Sequence, residues 1–118
     1  MDDLLKKKVS HLKEDKKLLD QSSVNIYLQS LAGWSIQKID EEQALYKSFK
    51  LKDFSSSVEF AQKICDIANS NDHHPRLIVN WGKLEVYWWS HDMGGINTND
   101  VIMAAQTENI YNLSLIHI

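Results

Sequence analysis

Residues 71–100 read NDHHPRLIVNWGKLEVYWWSHDMGGINTND, and no other part of the chain constrains the architecture as tightly. Asn71 and Asp72 are poor helix-interior residues, and Pro75 lacks the N–H that a helix would need, so any helix arriving from upstream stops here. Leu77 and Val79 then alternate with polar neighbours up to a turn at Trp81, Gly82 and Lys83, where glycine supplies the positive φ of a tight hairpin. On the return strand Leu84, Val86, Trp88 and Ser90 share one side, and Glu85, Tyr87, Trp89 and His91 share the other. Gly94 and Gly95 permit a bend, after which Asn97 or Thr98 caps a new helix with Asp100 in its first turn.

Upstream of this hairpin, Asp53 or the serines after it open a long helix that ends near residues 69–71. Phe54, Val58, Ala61, Cys65 and Ala68 line one face of it, widened by Phe60, Ile64 and Ile67. Before it, two strands are expected over 34–39 and 44–51, joined by an acidic turn over 40–43. Ser22 or Ser23 caps a preceding helix carrying Val24, Tyr27, Leu28 and Leu31, with Gly33 at its end. Leu5, Val9, Leu12 and Leu19 fall at helical spacing over 3–19, which predicts an amphipathic helix with a thin apolar stripe interrupted by Lys16. The core pattern is helix-β-β-helix-β-β-helix. Short turns within each strand pair make it an α+β fold, a four-stranded antiparallel sheet with helices packed on one face.

Composition narrows the functional classes. At 118 residues the chain suits one domain, and 43% hydrophobic with 25% charged residues is the make-up of a soluble globular protein. A formal charge of −3 offers no concentrated basic surface, so no direct nucleic-acid partner is expected. The lysines among residues 6–17 alternate with acids and read as a solvated helix face. The absence of a long apolar run predicts no membrane span, and with no secretory hydrophobic core the expected location is cytoplasmic. Cys65 is the only cysteine, so neither a disulfide framework nor a thiolate metal cluster is available, and its neighbours predict burial on the long helix.

The chemistry is concentrated in the opening stretch, which holds three of the five histidines, the only proline and three of the four tryptophans. Imidazole, with a free pKa of about 6.5, populates both protonation states near neutrality. His73, His74 and His91 around one pocket would supply an acid and a base together, as a dehydration requires. A catalytic zinc is the rival reading, but adjacent residues such as His73 and His74 rarely point at one ion in extended chain. A Ser-His-Asp arrangement at Ser90-His91 lacks a nucleophile elbow. Trp89 shares a face with His91 and suits a ligand wall, whereas Trp88 suits the core; Asp72 and Asp92 flank the histidines and can orient imidazoles or bind ring nitrogens.

His73-His74-Pro75, Trp81, His91, Gly94-Gly95 and Asp100, at these spacings, resemble the signature of the pterin-4a-carbinolamine dehydratase family. The likeness extends over residues 22–111, including Gly33-Trp34 and the FKLKDF of residues 49–54. The resemblance implies a hydro-lyase that dehydrates 4a-hydroxytetrahydrobiopterin to quinonoid dihydrobiopterin in tetrahydrobiopterin recycling, without metal or organic cofactor. It implies His73, His74 and His91 as catalytic residues. On chemical grounds His91 or His74 is expected to be the acid and His73 the base. It further implies pterin contacts at Asp72, Pro75, Trp89, Ser90 and Asp92, besides the histidines, with Trp81 and Asp100 in support. Where the family carries an ionisable residue four positions before His73, this chain has Asn69. A homodimer or homotetramer is implied, and the alternative function is a non-catalytic dimerisation cofactor for a transcription factor.

Three segments are therefore expected: an N-terminal helical extension over 1–21, the dehydratase-like domain over 22–112, and a tail over 113–118. The tail LSLIHI matches one reading frame of a sequencing adapter and is expected to be read-through, which removes His117 from consideration.

Overall fold

The computed structural model describes residues 1–114. Its strands are β1 (Ser35–Ile39), β2 (Glu42–Lys50), β3 (Arg76–Asn80) and β4 (Lys83–Trp88). They form one antiparallel sheet in the order β1-β2-β4-β3. Its helices are α1 (Asp2–Leu5), α2 (Gln21–Leu28), α3 (Phe54–Asn71) and α4 (Thr98–Leu113). The four-stranded antiparallel sheet agrees with the α+β pattern, and its two hairpins, one on each side of α3, meet in the middle through β2 and β4.

Each hairpin is closed by a two-residue loop. Asp40 and Glu41 both take positive φ (48° and 71°) between the paired residues Ile39 and Glu42, so β2 begins earlier than the alternating pattern indicates. That backbone follows the twist of the flanking strands. At the second loop Gly82 (φ 70°) turns the chain between Asn80 and Lys83.

Leu45, Phe49, Leu84, Val86 and Trp88 are buried on the side of the sheet that the helices cover, with Leu45 opposite Trp88 and Phe49 opposite Leu84. Lys47 shares that side by strand alternation, and its ammonium is met there by the Glu108 carboxylate and the Ala32 carbonyl. The open face carries Tyr46 and Tyr87, whose ring centroids are 4.7 Å apart. The Tyr46 hydroxyl donates to Glu85 Oε1 at 2.8 Å. Burial first, and the Glu85 bond second, push the Tyr46 phenol up to about 12.

α4 is the central helix, with Val101, Ile102, Met103, Ala104 and Ala105 buried in an unbroken run. Its buried polar groups are paired: Trp88 Nε1 donates to Thr107 Oγ1 at 3.1 Å and Trp34 Nε1 to Glu108 Oε1 at 3.0 Å. α3 begins at Asp53, whose carboxylate accepts from the Ser56 N–H at 2.8 Å, and ends where Asp72 turns left-handed (φ 48°, ψ 45°). α2 is capped by Asp20, not by Ser22 or Ser23, and both serines instead bond to that carboxylate.

Three expectations are corrected. The amphipathic helix over 3–19 does not form. Only α1 and a single 3-10 turn (Lys13–Asp15) are helical, and the rest is an extended strap whose backbone is bound by side chains of the body. The helical extension assigned to 1–21 is thus mostly strap. Cys65 is exposed, not buried. The core-facing seam of α3 runs through Ser57, Phe60, Ile64 and Ala68, leaving Phe54 and Val58 exposed, because the apolar residues span more of the helix than the sheet covers. Of the expected tail over 113–118, Leu113 closes α4, while residues 115–118, including His117, lie outside the described residues.

Candidate active site

Three local structures converge at one end of the sheet. The left-handed Asp72 and the following Pro75 turn the chain sharply out of α3, and the His73 N–H closes the helix end on the Ala68 carbonyl at 3.2 Å. His73 and His74 therefore leave α3 just ahead of β3. β4 ends at Trp88, earlier than the alternation to His91 implies. The chain then curls around the Ser90 carbonyl, which accepts the N–H groups of Met93, Gly94 and Gly95, with Gly94 at φ 76°. That curl breaks strand alternation and buries Trp88, Trp89 and Ser90 in succession, leaving His91 and Asp92 exposed. Asp72, His73, His74, Trp89, Ser90, His91 and Asp92 line a shallow pocket of about 250 Å³ between the two segments.

Asp100, fully buried at the start of α4, organises the pocket from beneath. Its Oδ1 lies 2.6 Å from His73 Nε2, and its Oδ2 accepts the Ser90 hydroxyl at 2.8 Å and the Asn97 N–H at 2.9 Å. An ionised carboxylate only accepts, so Nε2 of His73 is the donor and Nδ1 is left as the ring's acceptor. The imidazole also lies parallel to the Trp88 ring at 5.9 Å. His73 is thus held in one orientation by a bond and by a stacking surface.

The other two histidines are exposed at the mouth. His74 Nε2 lies 3.2 Å from Asn69 Oδ1, so the amide occupies the place of the expected ionisable group. His91 packs on Trp89 with centroids 4.2 Å apart, which makes Trp89 a buried wall. Beyond that pair lies a second depression of about 340 Å³, bordered by Ile39, Asp40, Pro75 and Arg76.

The structure therefore brings His73, His74, His91, Asp72, Trp89, Ser90 and Asp92 to one cavity, with Asp100 behind it. Pro75 lies in the neighbouring depression. Trp81 does not reach the pocket: it is 73% exposed in the β3-β4 loop, at the opposite end of β3 from the histidines. Asn97, absent from the sequence-derived site, proves to brace Asp100 through a capping box, and the Asn97-x-x-Asp100 spacing was the available signal. Among the described residues no group of three His, Cys, Asp or Glu side chains is arranged to hold a metal ion.

Comparison with known proteins gives a consistent result. The family model described as pterin 4 alpha carbinolamine dehydratase matches residues 17–110. A Saccharophagus degradans protein carrying the name pterin-4-alpha-carbinolamine dehydratase is 31% identical over 111 residues, 94% of this chain and 98% of its own. One of the same name from Chlorobaculum tepidum is 41% identical over 83 residues, 70% of this chain and 75% of its own. A crystal structure of a transcriptional coactivator/pterin dehydratase from Brucella melitensis superposes with a TM-score of 0.71 at 33% identity, covering 80% of this chain and 98% of that one.

Proposed function

The chain belongs to the pterin 4 alpha carbinolamine dehydratase family, and from that premise we propose that it is a hydro-lyase converting 4a-hydroxytetrahydrobiopterin to quinonoid dihydrobiopterin and water. The observation that carries the reading is the convergence of His73, His74 and His91 on one pocket, with His73 fixed by a buried carboxylate.

The reaction breaks the C4a–O bond and removes the proton on N5. His73 is the base, because Asp100 engages Nε2 and leaves Nδ1 to accept the N5 proton. The Asp100 carboxylate then stabilises the imidazolium that forms, as a carboxylate does behind any general-base histidine. As that proton leaves, the N5 electron pair closes the C4a–N5 double bond. The hydroxyl departs as water, protonated by His91. His91 suits this role better than His74, whose Nε2 is engaged by Asn69. Asp72 and Asp92 at the rim can accept from the amino and ring N–H groups of the pterin, and Trp89 gives its ring a flat wall.

Placed in metabolism, this reaction returns the oxidised pterin of aromatic amino-acid hydroxylases towards tetrahydrobiopterin. A non-catalytic dimerisation role would leave the three gathered histidines without work, so the enzyme is the favoured reading. The test is to generate the 4a-hydroxytetrahydropterin in situ and follow its decay by absorbance with and without purified protein. Decay well above the buffer rate is expected, and decay at the buffer rate contradicts the proposal.

A further inference from the structure

The strap that replaces the expected N-terminal helix runs along the rear of the histidine pocket and is bound to it at several points. The Asn97 side chain faces two ways. Its Oδ1 accepts the Asn99 N–H at 2.9 Å and caps α4, while its Nδ2 donates to the carbonyls of Lys17 at 2.6 Å and Asp15 at 3.1 Å. Asn99 grips the strap again, accepting the Ser10 N–H at 3.0 Å and donating to the Ser10 carbonyl at 2.8 Å. The Leu19 N–H donates to the Ile96 carbonyl at 2.9 Å. The strap also touches both rims of the pocket. His11 Nε2 donates to the Asn71 carbonyl at 2.7 Å, directly before Asp72-His73, and the Lys16 ammonium lies 3.5 Å from Asp92, directly after His91.

These contacts form a continuous path to His73. The strap carbonyls bind the Asn97 side-chain amide, the Asn97 backbone N–H binds Asp100 Oδ2, and Asp100 Oδ1 holds His73. The outer tie, Lys16 to Asp92, is solvent-exposed and contributes little by itself. In the inner tie Asn97 itself is buried, as is its bond to Asp100, and its bonds to the strap carbonyls are part-buried. We propose that the strap over residues 10–19 is a positioning element of the dehydratase site, acting through Asn97, whose side-chain amide binds the strap and whose backbone N–H holds Asp100, and so fixing the orientation of His73. The inference rests on the reading of His73 as the base.

Asn97→Ser separates this role from helix capping, because serine caps a helix about as well as asparagine but has no amide to bind two carbonyls. At saturating pterin, kcat is expected to fall by about tenfold to a hundredfold, the range seen when a group that orients a functional side chain is lost. KM should stay near wild type, since an interaction expressed only in the transition state lowers kcat and kcat/KM together. Independently of activity, the NMR signal of the His73 Nε2 proton should broaden by faster exchange, and trypsin should cleave at Lys16 or Lys17 sooner. A released strap with wild-type kcat and an unaltered His73 signal would overturn the proposal. If Asn97→Ser lowers the thermal midpoint, kcat is read at a temperature well below that midpoint, where the variant is folded by circular dichroism, and a reduction of at least severalfold is still required there. Wild-type protein without dehydratase activity would defeat the functional reading, whereas active wild type with an unchanged variant would defeat only this one.

Discussion

Asp100 carries more of the pocket than any single histidine, since one buried carboxylate accepts from His73, Ser90 and the Asn97 backbone at once. Replacing it by alanine leaves those buried groups without their acceptor, at about 1–3 kcal/mol for each group stranded, and chemical denaturation should show a large loss of stability. Asp100→Asn keeps the shape but removes the charge that stabilises an imidazolium on His73, so kcat should fall by at least about a hundredfold while the fold is retained; steady-state kinetics with circular dichroism checks both. Away from the site, the Tyr46 phenol titrates in the folded protein at about 12 against an ordinary value of 10.0. A folded-state value above the unfolded one favours the protonated form, so this contribution to stability is complete below about pH 10 and is lost as pH rises towards 12. Ultraviolet titration of tyrosinate absorbance should therefore lose its highest-pH component in Tyr46→Phe. The histidines were legible in the chain because titratable groups there crowd around one proline. The second bond of Asn97 was not, because it joins that residue to carbonyls some 80 positions earlier, which no local pattern encodes. Trp81 shows the same limit: its place in a motif says nothing about which end of a strand it occupies.

Among the elements, α3 shows how a correct helix can be given the wrong face. Its start at Asp53 and its stop before Pro75 follow from capping and breaker residues, but Phe54, Val58 and Cys65 form an apolar row that the sheet does not cover. Phe60→Ala should cost about 3–5 kcal/mol, as a fully buried aromatic does, whereas Phe54→Ala and Val58→Ala should stay within about 0.5 kcal/mol in the isolated chain; urea unfolding of the three variants measures the contrast. The helix starts also set acid sensitivity. The Ser56 side chain and N–H lower the pKa of Asp53, and the Ser23 N–H, with the Ser22 and Ser23 side chains, does so for Asp20. Each folded value lies below the ordinary one, so each contribution is present above about pH 3.8 and is lost as pH falls through the folded value. Asp53→Asn, a cap without a charge, should remove part of this acid dependence in a thermal-midpoint series taken downward from pH 5. The strap departs from the helical pattern for a physical reason: Leu5, Val9, Leu12 and Leu19 keep helical spacing, but the amides of Asn97 and Asn99 bind its backbone in extended form, and tertiary bonds outweigh a weak local preference.

For the whole molecule, alternation, turn residues and short connections were sufficient to give the α+β class and the pairing within each hairpin. The junction of the hairpins through β2 and β4 is a long-range choice that local pattern leaves open. β1 and β3 are the outer strands of the sheet, and among the described residues no strand pairs with their outer edges and no helix packs on the face with Tyr46 and Tyr87. Open edges are normally paired or covered, so we propose self-association, and light scattering should report the mass of two or four chains, with a single-chain mass contradicting this. No helix among the described residues is long and apolar enough to cross a membrane. Dehydration in the histidine pocket, as proposed, is tested most directly by the kcat of His73→Ala and of His91→Ala against wild type on 4a-hydroxytetrahydropterin. Each variant is predicted to lose about a hundredfold to ten-thousandfold, the contribution of a positioned acid or base; wild-type turnover in either would remove that residue from the chemistry, and wild-type turnover in both would contradict the account.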